Sequence, residues 1–106
     1  MYQLCVYVPE SHLTAVKQAL FTAGAGALGE YSQCCWQTLG TGQFQPSSAS
    51  QPFIGEPQQL TQVAEWKLEL VVKRALIKPV LQALVAAHPY EEPAYHVLPI
   101  LTLADF

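Results

Sequence analysis

An α+β fold with four strands and two helices in the order β-α-β-β-α-β is what this sequence predicts. Three observations predict it. Two stretches alternate apolar and polar residues with period two, "YQLCVYV" near the start and "EWKLELVV" past the middle. Two others repeat apolar residues at helical spacing, "SHLTAVKQALFTAGAG" and "ALIKPVLQALVAAH". These four segments interleave with two further strand-like runs in an order that matches the ferredoxin-like split pattern, in which one sheet carries both helices on a single face.

In "YQLCVYV", Tyr2, Leu4, Val6 and Val8 share one face and Gln3, Cys5 and Tyr7 the other. Pro9 ends the strand and Ser11 is placed to cap the helix that follows. Leu13, Val16, Leu20 and Ala23 form that helix's apolar stripe, and Gly24 and Gly26 stop it, because glycine enters left-handed conformations without a Cβ clash. "YSQCCWQTL" reads as the second strand, with Cys34 and Trp36 on one face and Cys35 and Gln37 on the other. Residues 40–60 hold three glycines, three prolines and three serines and read as an irregular arm carrying short strands, since a bare loop of that length is unusual in a compact domain. In "EWKLELVV", Trp66, Leu68, Leu70 and Val72 face inward while Glu65, Lys67 and Glu69 face water. The second helix buries Ile77, Leu81, Leu84 and Val85, and Pro79 confines its start to Ile77–Pro79, because proline is tolerated only in the first turn. "AYHVLPI" is the last strand.

The chain has 106 residues, enough for one domain spanning 1–106, and a chain of this size buries roughly 60–70% of its unfolded surface. Hydrophobic residues make up 51% and charged residues only 12%, about half the usual share, so part of the surface is expected to be covered by other copies of the chain. The sheet face without helices, carrying Cys5 and Tyr7, is expected to be apolar and to be that covered surface. A net charge of −3 argues against nucleic acid as a partner. No apolar run approaches the ~18 residues of a membrane span and no signal peptide is evident, so a cytoplasmic location is expected. Three cysteines in a reducing compartment do not make a disulfide framework.

The stretch "AAHPYEEPAYHV" (86–97) raises the main functional question. Pro89 disfavours helical geometry at His88, so the helix ends there. His88 then sits at the negative end of the helix, where a cationic imidazole gains ~0.3–1 kcal/mol. Pro93 suits the first position of a strand. Glu91 and Glu92 are disfavoured by the same dipole. They call for water, a cation or N–H donors, and the alternatives are a solvated or capping role, a contact across a subunit boundary, or a metal or ligand site around His88, Tyr90, Glu91 and Glu92.

Three motifs, "GTGQFQP" (40–46), "PFIGE" (52–56) and "HPYEEPAY" (88–95), closely resemble the inserted domain of the Nif-three-like dinuclear-metal family, the type-two-like homologues of GTP cyclohydrolase I. The first strand and helix, through "YVPESHLTAVKQALFTAGAGALGEY", resemble that domain too, so the likeness covers nearly the whole chain. The "HPYEEP" turn is also similar to the C-terminal motif of CutA, a trimeric ferredoxin-like protein linked to divalent-cation tolerance, and PII-type signalling proteins share that architecture. The resemblance implies a CutA/PII-like fold and a homotrimer. It implies neither a metal ligand nor hydrolase activity here, because the family's metal ligands lie in two domains that flank the insertion.

No cofactor is implied by the motifs themselves, with a divalent metal ion as the alternative. His12, His88, His96, the cysteines and the Glu91–Glu92 pair lack the spacings that mark a metal site, and consecutive Cys34 and Cys35 on a strand point to opposite faces and read as small core residues. A nucleophilic Cys34 beside His96 has no local signature. The "GTG" at 40–42 lacks the lysine and following helix of a phosphate loop and reads as a bend or bulge, although the equivalent connection in PII-like folds is an effector loop. Phe44 and Phe53 on the arm read as anchors onto the same or a neighbouring subunit, or as a cluster within the arm. The expected function is a non-enzymatic oligomeric binding or regulatory module for a small ligand or protein partner. The alternatives are a CutA-like divalent-cation-binding protein and a cryptic hydrolase.

Overall fold

A computed structural model describes residues 1–106. Its strands are β1 (Tyr2–Pro9), β2 (Trp36–Phe44), β3 (Thr61–Val72) and β4 (Tyr95–Pro99), and its helices are α1 (Leu13–Thr22) and α2 (Ile77–Ala87). All strand pairs are antiparallel and the sheet order is β2-β3-β1-β4. The element order and the pairing agree with the βαββαβ expectation.

The core forms where the two central strands meet the helices. Leu4 lies opposite Leu70 and Val6 opposite Leu68, which places Leu4, Val6, Val8, Leu68, Leu70 and Val72 on one face. Val16 and Leu20 of α1 and Val80 and Leu84 of α2 close over them, all fully buried. The inward side of α2 is therefore Ile77, Val80, Leu81 and Leu84, at i, i+3, i+4 and i+7 from the first helical residue. Val85, expected in that stripe, is half exposed, because the stripe counted from Ile77 turns it toward water. Pro79 sits in the first turn, where its missing N–H has no partner to lose. Ser11 does not cap α1. A short 3-10 turn, Glu10–His12, leads into the helix, and the Ser11 hydroxyl bonds the His12 ring instead.

Two expectations about β2 are corrected. The strand starts at Trp36, so Cys34 and Cys35 precede it and do not alternate across the sheet. The Cys34 N–H instead bonds the Gly26 carbonyl (2.9 Å), whose own N–H reaches Val71 (2.8 Å). Gly26 has φ +77°, and a Cβ there would lie 2.7 Å from the Cys34 carbonyl oxygen, so only glycine admits this close return of the chain. At the other end, β2 continues through Gly40, Thr41 and Gly42 to Phe44, paired in register with β3. The irregular arm is therefore residues 45–60 only, with no bulge at 40–42.

The open sheet face is also not the continuous apolar surface expected. Gln3, Cys5 and Tyr7 of β1 lie beside Val71, Glu69 and Lys67 of β3, with Trp36 and Thr38 of β2 and His96 and Leu98 of β4 at the margins. Gln3 donates to the Glu69 carboxylate (3.1 Å) and Lys67 pairs with it (2.9 Å). A polar stripe thus runs down the middle of the face. The outward glutamates and lysine of β3, legible in its alternation, are what make it polar.

The hairpin β2–β3 overruns the rest of the sheet. β1 ends at Pro9 opposite Glu65, while β3 begins at Thr61 opposite Phe44. This overhang lengthens the molecule to 48 × 23 × 21 Å. It also leaves a vacant place beside β3, and that place positions the site.

Candidate functional site

The chain from 88 to 94 fills the space where β1 stops. His88 has extended geometry (φ −76°, ψ 134°), as the following proline requires, and α2 ends one residue earlier. Its ring is buried. Nε2–H donates to the Tyr7 carbonyl (2.7 Å) and Nδ1 accepts the Tyr90 backbone N–H (3.1 Å). A ring that donates at one nitrogen and accepts at the other is neutral. Burial pushes its pKa below the ordinary histidine value, the Tyr7 carbonyl partly opposing that. The expectation of a cationic imidazole paired with the helix dipole is therefore corrected. His88 is an uncharged strut that pins the turn to the end of β1.

With the turn pinned, Tyr90 stands against the arm. Its ring lies 4.8 Å from that of His88, 6.2 Å from Phe44 and 6.4 Å from Phe53, centroid to centroid. Phe53 in turn meets the His12 ring edge-on at 5.2 Å. Of the placements open for the two phenylalanines, the structure has both packed on the body of their own chain. The Gln51 backbone N–H donates to Glu91 Oε1 (3.2 Å), so the arm supplies the N–H donor that one of the paired acids called for. Glu92 is exposed at the rim.

Between arm and turn lies an open cleft of ≈ 440 Å³, a usual size for a small-molecule site. Phe44, Pro46, Phe53 and Ile54 line one side and Tyr90, Glu91, Glu92 and Ala94 the other, with Glu65 of β3 between them. The Tyr90 hydroxyl is fully buried and closes no hydrogen bond of proper geometry. Burial, and then the adjacent Glu65 carboxylate, hold its pKa well above the ordinary phenol value.

Glu65 is a member of this site that sequence reasoning missed. It looked like an ordinary outward residue of an alternating strand. The signal was in the strand beside it. A Cβ on Gly42 would overlap the Glu65 carboxylate, so this glycine of "GTG" clears a path for that side chain to lie across β2. This is the role of Gly42, in place of a bend; a Cβ on Gly40 would meet nothing.

The remaining candidates are not drawn in. Cys34 and Cys35 lie before β2, beyond the outer edge of the sheet, whereas His96 is on β4 at the opposite edge, so the Cys34–His96 pairing does not form. The cross-strand partner of His96 is Cys5, whose thiol is pushed up chiefly by burial and is thus poorly reactive. No three His, Cys, Asp or Glu side chains are grouped so as to hold a metal ion. No helix is long and apolar enough to cross a membrane.

Nearly the whole chain, the cleft included, is matched by known proteins. The chain is 43% identical over 100 residues to the GTP cyclohydrolase 1 type 2 homolog of Halalkalibacterium halodurans, covering 94% of this chain and 27% of that protein. To the protein of the same name in Bacillus subtilis it is 44% identical over 98 residues, covering 92% and 26%. A solved Bacillus cereus protein related to NIF3 superposes with a TM-score of 0.79 at 40% identity, over 93% of this chain and 25% of that one. The chain is a homologue of one region of the NIF3-like proteins. It spans about a quarter of their length. No family model matches it. The PII-like protein CutA from Nostoc superposes with a TM-score of 0.67 at 16% identity, over 94% of this chain and 81% of CutA, which shows a CutA/PII-like fold. The region of the NIF3-related protein that superposes on the chain therefore shares this fold.

Proposed function

We propose that the chain is a non-catalytic module that binds a small ligand in the cleft between arm and turn and works as a homo-oligomer, a trimer on the CutA pattern, in the cytoplasm. One observation carries the reading: three motifs separated in sequence meet around a single cleft.

The composition of the cleft supports binding without chemistry. Its wall contains neither cysteine nor histidine nor lysine, and of its two serines Ser50 spends its hydroxyl proton on the Ser47 carbonyl (2.7 Å). Self-association is supported by the sheet edges, in place of the sheet face. β2 is a nine-residue edge strand with Trp36 and Leu39 exposed, and the opposite edge, β4, exposes Leu98. Long exposed edges with apolar side chains are templates for pairing with another chain.

Amide chemical shifts of the ¹⁵N-labelled chain, recorded against a library of small polar and aromatic fragments, test the binding site. Saturable shifts at Gln51, Phe53, Tyr90 and Glu91 are expected. Saturable shifts confined to other parts of the surface would contradict the assignment. Sedimentation at micromolar concentration tests assembly, and a monomer there would refute the oligomer.

A further inference from the structure

We propose that the ligand of this cleft is an organic cation, an amine or ammonium group carried on an apolar body. The inference rests on the cleft being a binding site and names the chemistry that it selects. Every ionisable side chain of opposite possible charge is missing from the wall: it holds Glu65, Glu91 and Glu92 and no lysine, arginine or histidine. An anion would face carboxylates with no counter-charge, whereas a cation finds an acceptor in whichever carboxylate it reaches.

The aromatic rings decide what kind of cation. Phe44, Phe53 and Tyr90 converge with centroids 6.2 and 6.4 Å apart. Ring faces attract ammonium groups through their negative quadrupole, and their apolar bodies favour a ligand with hydrocarbon of its own. A bare divalent ion is a poorer fit, because no three ligating side chains are grouped to replace its hydration shell. Glu65 is the deepest of the acids. It is half-buried, it lies beside the Tyr90 hydroxyl, and it reaches the cleft over Gly42. An ammonium placed there donates to the Glu65 carboxylate. The hydrocarbon then lies between Phe44 and Phe53.

Three probes with nearly the same body and different charge test this: 2-phenylethylamine, 2-phenylethanol and phenylacetate, titrated into the full chain at neutral pH and followed by amide shifts. Zinc ion alone is the fourth arm. The amine is expected to shift Phe53, Tyr90 and Glu91 saturably and to bind at least about tenfold tighter than the alcohol, with no saturable effect of phenylacetate. Glu65→Gln is expected to weaken the amine about tenfold. Gly42→Ala, which adds no charge and displaces the Glu65 carboxylate, is expected to weaken it similarly, and both variants keep the amide spectrum of the folded chain. Equal or tighter binding of the alcohol or phenylacetate, tighter binding of zinc at these residues, or an unchanged amine affinity in both variants overturns the cation while leaving the cleft a binding site. If none of the four probes shifts these residues at millimolar concentration, the cation proposal and the cleft reading both fall.

Discussion

The helix-covered half of the sheet and the overhanging hairpin share the strand β3, yet they are held in opposite ways. Under the helices, ten side chains from β1, β3, α1 and α2 are almost completely buried against one another. Each is one of many, and the loss of any one is shared. At the overhang, the arm is held by single contacts: one N–H to Glu91, one edge-on pair between Phe53 and His12, and one tilted pair between Phe53 and Tyr90, next to that of Phe44 at the end of β2. Stability resides in the first region. With so few contacts, the second is expected to open at a lower cost than unfolding the domain.

The largest effect expected is in the core. Leu84→Ala removes a fully buried side chain beneath α2 and should lower unfolding stability by about 2–5 kcal/mol, measured by urea denaturation. A cost as small as that of a surface substitution would mean that the packing described here is not the one in solution.

Next comes the joint between the two regions. His88→Leu keeps the volume apolar but leaves the Tyr7 carbonyl and the Tyr90 N–H without their partner, and it should cost about 1–3 kcal/mol at neutral pH. The wild-type joint is also acid-sensitive. Because burial lowers the folded-state pKa of His88 below 6.5, the unfolded chain takes up a proton that the folded chain refuses. The stabilising contribution is therefore complete above pH 6.5 and declines as pH falls through that value toward the folded-state pKa. Urea midpoints should thus draw together as pH is lowered from 7.5 to 5.5, the wild type losing more than His88→Leu. Parallel pH profiles would rule out a buried neutral imidazole.

The smallest effect sharpens the contrast. Glu91→Gln weakens the acceptor for Gln51 at the surface, and global stability should change by no more than about 0.5 kcal/mol. Amide exchange at Gln51 should nonetheless quicken, with exchange in β1 and β3 unchanged. Slowed or unaltered exchange at Gln51 would show that Glu91 does not hold the arm.

How much of this was legible follows the same division. Period-two alternation in β1 and β3 placed Leu4, Val6, Leu68 and Leu70 correctly, because burial on one face imposes that pattern over many positions at once. Pro79 and Pro89 marked the two ends of α2 through local sterics alone. Val85 was misplaced because it lies about 100° around the helix from Leu84, on the flank of the stripe, while Val80 on the other side of Leu84 was passed over. The end of β1 relative to β3 was illegible, since a hairpin overhang is a property of register between strands. The empty place beside β3 and the reach of Glu65 into it were therefore invisible. The polarity of the open face was legible in the alternation of β3 but was passed over, because the face was read from β1, where Cys5 and Tyr7 are apolar enough, while Glu69 and Lys67 of β3 decide it.

The central claim is that the arm closes over the turn of its own chain. It is tested most directly by isotope-filtered proton–proton contacts in a sample mixed from two differently labelled populations of the protein. Contacts between the Phe53 ring and the rings of Tyr90 and His12 are predicted within one labelled chain. If those contacts are found only between chains of different label, or are not found at all, the cleft does not exist as described.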